Sequence, residues 1–96
     1  MEICKMLTIS SAHISFDTMR HLQDDDTGVI AYPKELDGVR YGYFILADGS
    51  EEYLDEVPDD LRACLEFALD NDCAWLVIDC YGEVLDELPV YDWQTK

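Results

Sequence analysis

Basic residues and long apolar segments are scarce in this sequence. Only 6 of its 96 residues are Lys or Arg, against 22 Asp or Glu, which gives a formal net charge of −16. A surface of this charge repels nucleic acid and anionic membranes and attracts basic proteins. No apolar run approaches the roughly 18 residues of a membrane span, and the N-terminal MEICKM lacks the regions of a secretory signal. We therefore expect a single acidic domain, residues 1–96, in the cytoplasm.

Motifs that identify catalytic or metal sites are also missing. The sequence has no P-loop, no GxGxxG and no GxSxG pattern. Neither DDDTG (24–28) nor DNDC (70–73) has the full pattern of an EF-hand loop, which leaves weak divalent binding as the alternative. No CxxC spacing occurs, so we expect reduced, mostly buried thiols and neither a metal nor a cofactor. The thiols are those of Cys4, Cys64, Cys73 and Cys80.

The two histidines give little support to catalysis. His13 falls in the first predicted strand and His21 on the polar side of the first predicted helix. A Cys–His nucleophilic pair built on His13 would need a third, orienting group, and the sequence identifies none. With 22 carboxylates present, no particular pair is marked for acid–base chemistry. The sequence therefore favours a binding protein over an enzyme.

Hydrophobic periodicity predicts seven elements in the order β-α-β-β-α-β-β. Strands are predicted over 5–15, 29–32, 39–46 and 73–79, with a broken edge strand over 84–93. Helices are predicted over 16–23 and 58–69. Two helices on one face of a mostly antiparallel sheet is the simplest arrangement of these elements. We predict an α+β fold, a two-layer sandwich.

Local signals set the expected ends of the helices and turns. Ser15 is the predicted N-cap of the first helix, and Gly28 its terminator. The segment 33–38 is long for a tight hairpin, whereas Asp-Gly at 48–49 signals a turn. The faces expected to be buried are Phe16, Met19 and Leu22 on the first helix and Leu61, Cys64, Leu65, Ala68 and Leu69 on the second.

The segment EEYLDEVPDDL (51–61) holds six carboxylates in eleven residues and no base. A charge run is usually only a solvated face, and acids at the start of the second helix suit its dipole. The excess continues, however, because Asp59, Glu66 and Asp70 follow one side of that helix. Like charges at i, i+4 cost a few tenths of a kcal/mol each. A chain that carries these repulsive pairs without lysines to offset them is expected to use its negative electrostatic field for binding.

Size and charge together suggest DNA mimicry. A compact chain of this length is roughly 32 Å across, and a duplex of that length carries about 19 phosphate charges, against 16 here. The predicted partner is a basic nucleic-acid-binding protein, with no direct contact to nucleic acid or membrane. The predicted partner-binding residues are Asp48, Glu51, Glu52, Tyr53, Asp55, Glu56, Asp59, Asp60, Glu66 and Asp70.

Exposed aromatic residues at the edge of the acidic face would serve as anchors for the partner. The candidates are Tyr53, Tyr81, Tyr91 and Trp93. Core packing is the alternative for each of them. It is the preferred interpretation for Trp75, which lies in the strand over 73–79. The nearly continuous apolar sequence of this strand predicts a buried, central position in the sheet.

Three segments resemble an uncharacterised family of small acidic proteins from bacterial plasmids and prophages: LTISSAHIS (7–15), VPDDLRACLEFALDNDCAWLVID (57–79) and ELPVYDW (87–93). The resemblance assigns no role to any residue. It implies a mobile-element setting and a bacterial host cytoplasm, where small acidic proteins act as anti-CRISPR or anti-restriction inhibitors. The expectation is a stoichiometric, non-enzymatic inhibitor that occludes the basic channel of a CRISPR effector or restriction enzyme. The alternative is an immunity protein or antitoxin that neutralises a basic nuclease toxin.

Overall fold

The chain folds into one sheet and a layer of helices. The structure, a computed structural model, describes residues 3–24 and 29–91. Within these residues the strands are β1 (Met6–Ser10), β2 (Ala31–Leu36), β3 (Val39–Leu46) and β4 (Trp75–Asp79). The helices are α1 (Phe16–Gln23), α2 (Glu51–Asp55) and α3 (Asp59–Asp70), with a 3-10 turn at Ser11–His13.

The sheet has the strand order β1-β4-β3-β2. β4 pairs parallel to β1 and antiparallel to β3, and β3 pairs antiparallel to β2. The nearly continuous apolar sequence of β4 suits this central position, as predicted. An α+β domain with a mostly antiparallel sheet is therefore confirmed.

The core lies between one face of the sheet and the helices. Ile78 of β4 pairs with Ile9 of β1 and with Tyr43 of β3, so all three side chains point to the same face. They form one cluster with the buried residues of the three helices. Leu61 and Leu65 of α3 are fully buried in it. The helices thus cover a single face, which gives the two-layer arrangement.

The first helix begins where the sequence predicts, whereas α3 begins one residue later, at Asp59, with Pro58 as its N-cap. The Ser15 hydroxyl accepts the Thr18 amide proton at 3.2 Å and caps α1. Met19 and Leu22 are buried as expected, but Phe16 is 53% exposed, so its predicted place in the core is wrong. Asp24 is the C-cap of α1, and the predicted terminator Gly28 lies outside the described residues. In α3 the predicted stripe is buried, with Leu69 packed at its margin.

β1 is shorter than the predicted strand over 5–15. It ends at Ser10, whose hydroxyl accepts the Ala12 amide proton at 3.0 Å. This local side-chain bond offers the backbone an alternative to the strand ladder, and residues 11–13 form the 3-10 turn instead. The side chain of His13 is thereby turned into the interior, where it is fully buried.

The hairpin between β2 and β3 is tight, contrary to prediction. β2 runs through Pro33 to Leu36, and only Asp37 and Gly38 connect it to β3, at φ values of 55° and 80°. Two consecutive positive φ values define the turn that matches strand twist, and Asp-Gly is a preferred sequence for it. The predicted long connection over 33–38 is therefore wrong. The other Asp-Gly, at 48–49, precedes α2 and forms no hairpin.

Residues 84–91 do not form the strand predicted over 84–93. They are held by side-chain bonds from His13 and by a backbone bond from the Tyr91 amide to the Ala12 carbonyl at 2.8 Å. An isolated bridge joins Ile9 to Glu83, the residue just before this range, and residues 92–93 lie outside the described residues. His13 Nδ1 lies 2.8 Å from the Pro89 carbonyl oxygen, and His13 Nε2 accepts the Leu85 amide proton at 2.9 Å. Because an amide can only donate, the ring is the neutral tautomer with its proton on Nδ1. His13 therefore ties this segment to the domain.

Replacing His13 tests this attachment. His13→Ala leaves the Leu85 amide and Pro89 carbonyl unpaired and opens a cavity, so we expect a loss of about 2–4 kcal/mol in the free energy of unfolding. Amide exchange in residues 83–91 should accelerate more than in β4. The exposed His21 supplies the control, since His21→Ala opens no buried cavity and should cost clearly less stability than His13→Ala. Equal losses in the two variants, measured by denaturant unfolding, would contradict the assignment.

Candidate partner-binding surface

The acidic segment 51–61 folds into two helices, α2 and the start of α3, and not into an irregular charged run. The Ser50 hydroxyl caps α2 by accepting the Tyr53 amide proton at 3.4 Å, and Asp48 Oδ1 accepts the Ser50 amide proton at 3.0 Å. Glu51 and Glu52 occupy the first turn, where the helix dipole stabilises negative charge. Like charges are thus placed where the backbone offsets part of their repulsion.

Tyr53 attaches α2 to the sheet. Its hydroxyl donates to the Leu46 carbonyl at 2.7 Å and accepts the Ile30 amide proton at 3.1 Å. The hydroxyl thereby bridges the end of β3 and the residue that precedes β2. Burial raises the pKa of Tyr53. The neighbouring Leu54 is buried in the core. Tyr53 therefore has the packing role that was the alternative to an exposed anchor.

Asp60 joins the beginnings of α1 and α3. Its carboxylate accepts the Ser15 amide proton at 2.6 Å and the Thr18 hydroxyl proton at 2.7–2.8 Å. It also accepts the Leu61 amide proton at 2.9 Å. These contacts occupy its oxygens with groups of the fold. Asp60 is a structural residue in this arrangement and has little left to offer a partner.

The other eight predicted acids are all exposed and lie on α2, on α3 and in the turns beside them. We call this set the acidic surface: Asp48, Glu51, Glu52, Asp55, Glu56, Asp59, Glu66 and Asp70. Their side chains project from helices anchored by Leu54, Val57 and the buried stripe of α3. The carboxylates are therefore carried on rigid elements.

Arg62 is the only basic residue between positions 41 and 95, and it lies within the acidic surface. Its Nη1 is 3.4 Å from Asp55 Oδ1 on α2, and its Nε is 3.1 Å from Glu66 Oε2 on α3. The hydrogen bond to Glu66 is the main cause that raises the pKa of Arg62. Arg62 brings the two helices' carboxylates together but offsets one charge among eight, which leaves a net of −7.

A shallow concavity of about 600 Å³ opens beside α2. Among its lining residues are Asp48, Glu52, Asp55 and Glu56. Residues 3–24 and 29–91 contain no group of three or more His, Cys, Asp or Glu side chains arranged to hold a metal ion. An open, acidic concavity of this kind suits the long basic side chains of a protein surface.

The cysteines and His13 do not assemble a nucleophilic site. Cys64 and Cys73 are buried, whereas Cys4 and Cys80 are exposed, contrary to the expectation of mostly buried thiols. Burial, with a contribution from Asp60, raises the pKa of Cys64 to about 12, and a thiol in that state is unreactive. Cys64 Sγ lies 3.6 Å from the His13 carbonyl oxygen, while both ring nitrogens of His13 are bonded to backbone elsewhere.

The predicted aromatic anchors are only partly placed beside the acidic surface. Burial and then the charges of Asp60 and Asp59 raise the pKa of Tyr91. Its amide donates to the Ala12 carbonyl at 2.8 Å. Tyr81 is 81% exposed in the turn after β4 and contacts the Tyr41 ring. Trp93 lies outside the described residues.

Trp75 is not in the core, where the sequence interpretation put it. It is half-buried on the face of the sheet opposite the helices. Its ring centroid is 6.2 Å from that of Tyr32. An apolar strand sequence identifies burial but does not say which residue lies on which face.

Comparison with known proteins gives a family and no chemistry. Residues 6–93 match the family described as "Family of unknown function (DUF5983) C-terminal domain". No curated protein and no solved structure matches the chain. No helix within 3–24 or 29–91 has the length and apolar character needed to cross a membrane.

Asp59 and Asp60 are adjacent acids with different surroundings, and they provide a matched test of the site. Asp60→Asn removes the charge that accepts the Ser15 and Thr18 protons, so we expect a loss of about 1–3 kcal/mol in the free energy of unfolding. Asp59→Asn, at an exposed position, should lose less than about 1 kcal/mol. Denaturant unfolding of both variants measures the difference. Equal stability of the two would show that Asp60 is as free as Asp59 and belongs to the acidic surface.

Proposed function

The chain belongs to this family of unknown function, and we propose that it is a stoichiometric, non-enzymatic inhibitor of a bacterial defence system that acts as a DNA mimic. In this proposal the acidic surface occupies the basic nucleic-acid-binding groove of a CRISPR effector complex or restriction enzyme. The supporting observation is the set of eight exposed carboxylates on α2, α3 and their turns, against Arg62 between α2 and α3 and Lys5 at the C-terminal end of α3.

The dimensions of the domain support this proposal. Its extents are 45 × 32 × 28 Å, and a duplex segment 28–32 Å long carries about 16–19 phosphate charges. The net charge of −16 falls in that range. A domain that lies with one of its two shorter extents along a basic groove would therefore present about the same total charge as a duplex segment of that length.

The arrangement of charge indicates that both helices are needed. Asp59, Glu66 and Asp70 rise along α3 in steps of about 10 Å and 6 Å, whereas one DNA strand presents a phosphate every 3.4 Å or so. α3 alone is too sparsely charged to replace a strand. The carboxylates of α2, brought beside α3 through Arg62, supply the additional density.

Binding of this kind has a clear physical driving force. Carboxylates that replace phosphates release counterions from the Lys and Arg residues of the groove, and the affinity falls steeply with salt. Rigid helices reduce the entropy lost on ordering the charges. Neutralisation of a basic nuclease toxin would use the same surface and is the runner-up function.

Charge reversal at the acidic surface tests its role. The triple change Glu52→Lys, Asp55→Lys and Glu56→Lys should lower affinity for the effector about 100-fold or more, near 2.7 kcal/mol. A matched control changes three exposed acids of the C-terminal segment, Glu83→Lys, Asp86→Lys and Glu87→Lys. Both variants have the same net charge.

The partner for this measurement is the guide-loaded effector recovered by pull-down from a defence-competent bacterium. Binding of both triple variants is measured by calorimetry after circular dichroism confirms their folding. The control should lose less than about fivefold. If the two variants lose affinity equally, overall charge rather than the acidic surface determines binding, and the proposed interface is wrong.

Order of addition in a gel shift tests mimicry itself. The protein added first to the effector should prevent target-DNA binding, and excess DNA should displace the protein. Inhibition should saturate at a fixed stoichiometry without turnover. A stable complex containing effector, DNA and this protein together would exclude mimicry, even if cleavage were fully blocked. Inhibition of an isolated basic nuclease toxin, with no effect on effectors or restriction enzymes, would favour the runner-up.

A further inference from the structure

The sheet face opposite the helices is open and apolar. We call it the open face; its main side chains are Met6, Tyr32, Leu36, Val39, Phe44 and Trp75. Side chains alternate between faces along a strand, and on β1, β2 and β4 these residues alternate with those that point to the helices. On β3 a register shift opposite Lys34 and Glu35 interrupts the alternation, and Val39 shares the face of Leu36, with which it pairs. Met6, Tyr32, Leu36 and Val39 are between 52% and 64% exposed. Such a composition, rich in aromatic residues and Met, is typical of the centre of a protein interface.

The open face has no net charge, although the chain carries −16. The charged side chains that the described strands place on it are Lys34 and Asp79, which form an ion pair. Lys34 also lies over the Phe44 ring, 5.9 Å from its centroid. The hydrogen bond from Lys34 and that from the Tyr81 amide hold the pKa of Asp79 below its usual value. The face is therefore neutral, in contrast to the acidic surface on the helix side of the domain.

The edges of the sheet are poorly suited to strand addition. The Leu46 amide donates to the Ile30 carbonyl. Because ladder bonds recur at every second residue, residues 30, 32 and 34 bond to β3. The backbone nitrogen of Pro33 therefore lies on the outer edge of β2. Proline removes that donor. On the other edge, the Ser10 amide already donates to the Glu83 carbonyl at 2.8 Å. A partner is thus directed to the face and not to an edge.

We propose that a second copy of this chain covers the open face, giving a symmetric dimer in which two sheets pack face to face with the helices outside. A basic partner is attracted to the acidic surface and not to the neutral open face. A second copy of the chain is acidic overall, but its own open face is neutral, so the two open faces can pack without charge repulsion between them. In such a four-layer arrangement the two helix layers lie about 30 Å apart. That distance is more than three Debye lengths at physiological salt, about 8 Å each.

The area of the face predicts a weak dimer. Four strands spaced about 4.8 Å apart, each with up to six residues of about 3.3 Å, give roughly 380 Å² of face per copy. Two copies bury roughly 760 Å² together by this measure, below the 1,200–2,000 Å² of stable specific interfaces. We expect a dissociation constant on the order of 10–100 µM. This proposal does not depend on the proposed inhibitory function.

Sedimentation equilibrium of the purified chain between about 5 µM and 1 mM tests the proposal, at 50 and 500 mM NaCl. The average mass should rise towards that of a dimer with concentration. The dimer should tighten several-fold at the higher salt, because the remaining repulsion between two acidic copies is screened. Binding through the acidic surface has the opposite salt dependence. A monomer at 1 mM and 500 mM NaCl, or a dimer that salt weakens, would overturn the proposal.

Matched variants locate the interface. Val39→Glu and Tyr32→Glu place a charge on the open face and should weaken the dimer at least tenfold. The control is Val90→Glu, which makes the same change next to Tyr91 and away from the open face. Val90 is 60% exposed and Val39 52%. Val90→Glu should change the dissociation constant of the dimer less than twofold. Circular dichroism checks the folding of each variant. If Tyr32→Glu does not fold, Val39→Glu alone tests the open face, because Val39 is exposed. A dimer unaffected by Val39→Glu would place the interface elsewhere and contradict the proposal.

Discussion

The close packing of β4 between β1 and β3 is the constraint on which the rest of the structure depends. β3 approaches so closely that a Cβ at Gly42 would lie 1.7 Å from the Ile78 carbonyl oxygen, so only glycine fits there. Leu76 and Ile78 are fully buried against the helices. Because successive residues of β4 point to opposite faces, this one strand supplies the floor of the helical core and the centre of the open face. The two surfaces of the domain are thus the two sides of β4.

A chain with so few bases must limit repulsion among its acids by position. Glu51 and Glu52 lie at the start of α2, where the backbone dipole is favourable. Asp60 is surrounded by donors from α1, and Asp79 is paired with Lys34. These acids stabilise the fold or cost it little. Within the acidic surface, Asp55 and Glu66 contact Arg62. The exposure of these eight carboxylates on α2, α3 and the turns beside them is the feature that the proposed function explains.

The domain therefore separates two kinds of surface. The helix side combines dense negative charge with rigid support, which suits a basic groove and disfavours an acidic neighbour. The sheet side is neutral, aromatic and bounded by blocked edges, which suits an apolar neighbour of any net charge. The first surface depends on long-range electrostatics and the second on burial of apolar area, so the two respond to salt in opposite directions. Both binding modes are compatible with one another, because they occupy opposite layers.

Local patterns in the sequence determined the α+β class, the amphipathic stripe of α3, the cap at Ser15 and the central position of β4. These features depend on neighbours within a turn of helix or along one strand, and periodicity reports them. Tertiary structure alone decided the roles of Asp60, His13 and Tyr53. Asp60 binds Ser15 across 45 residues of sequence, and His13 binds Pro89 across 76. The local sequence around an acid in a charged run, or around a histidine near a strand, does not show whether a distant backbone group will bind that side chain. Hydrogen bonding and burial of such residues are determined only when the elements pack.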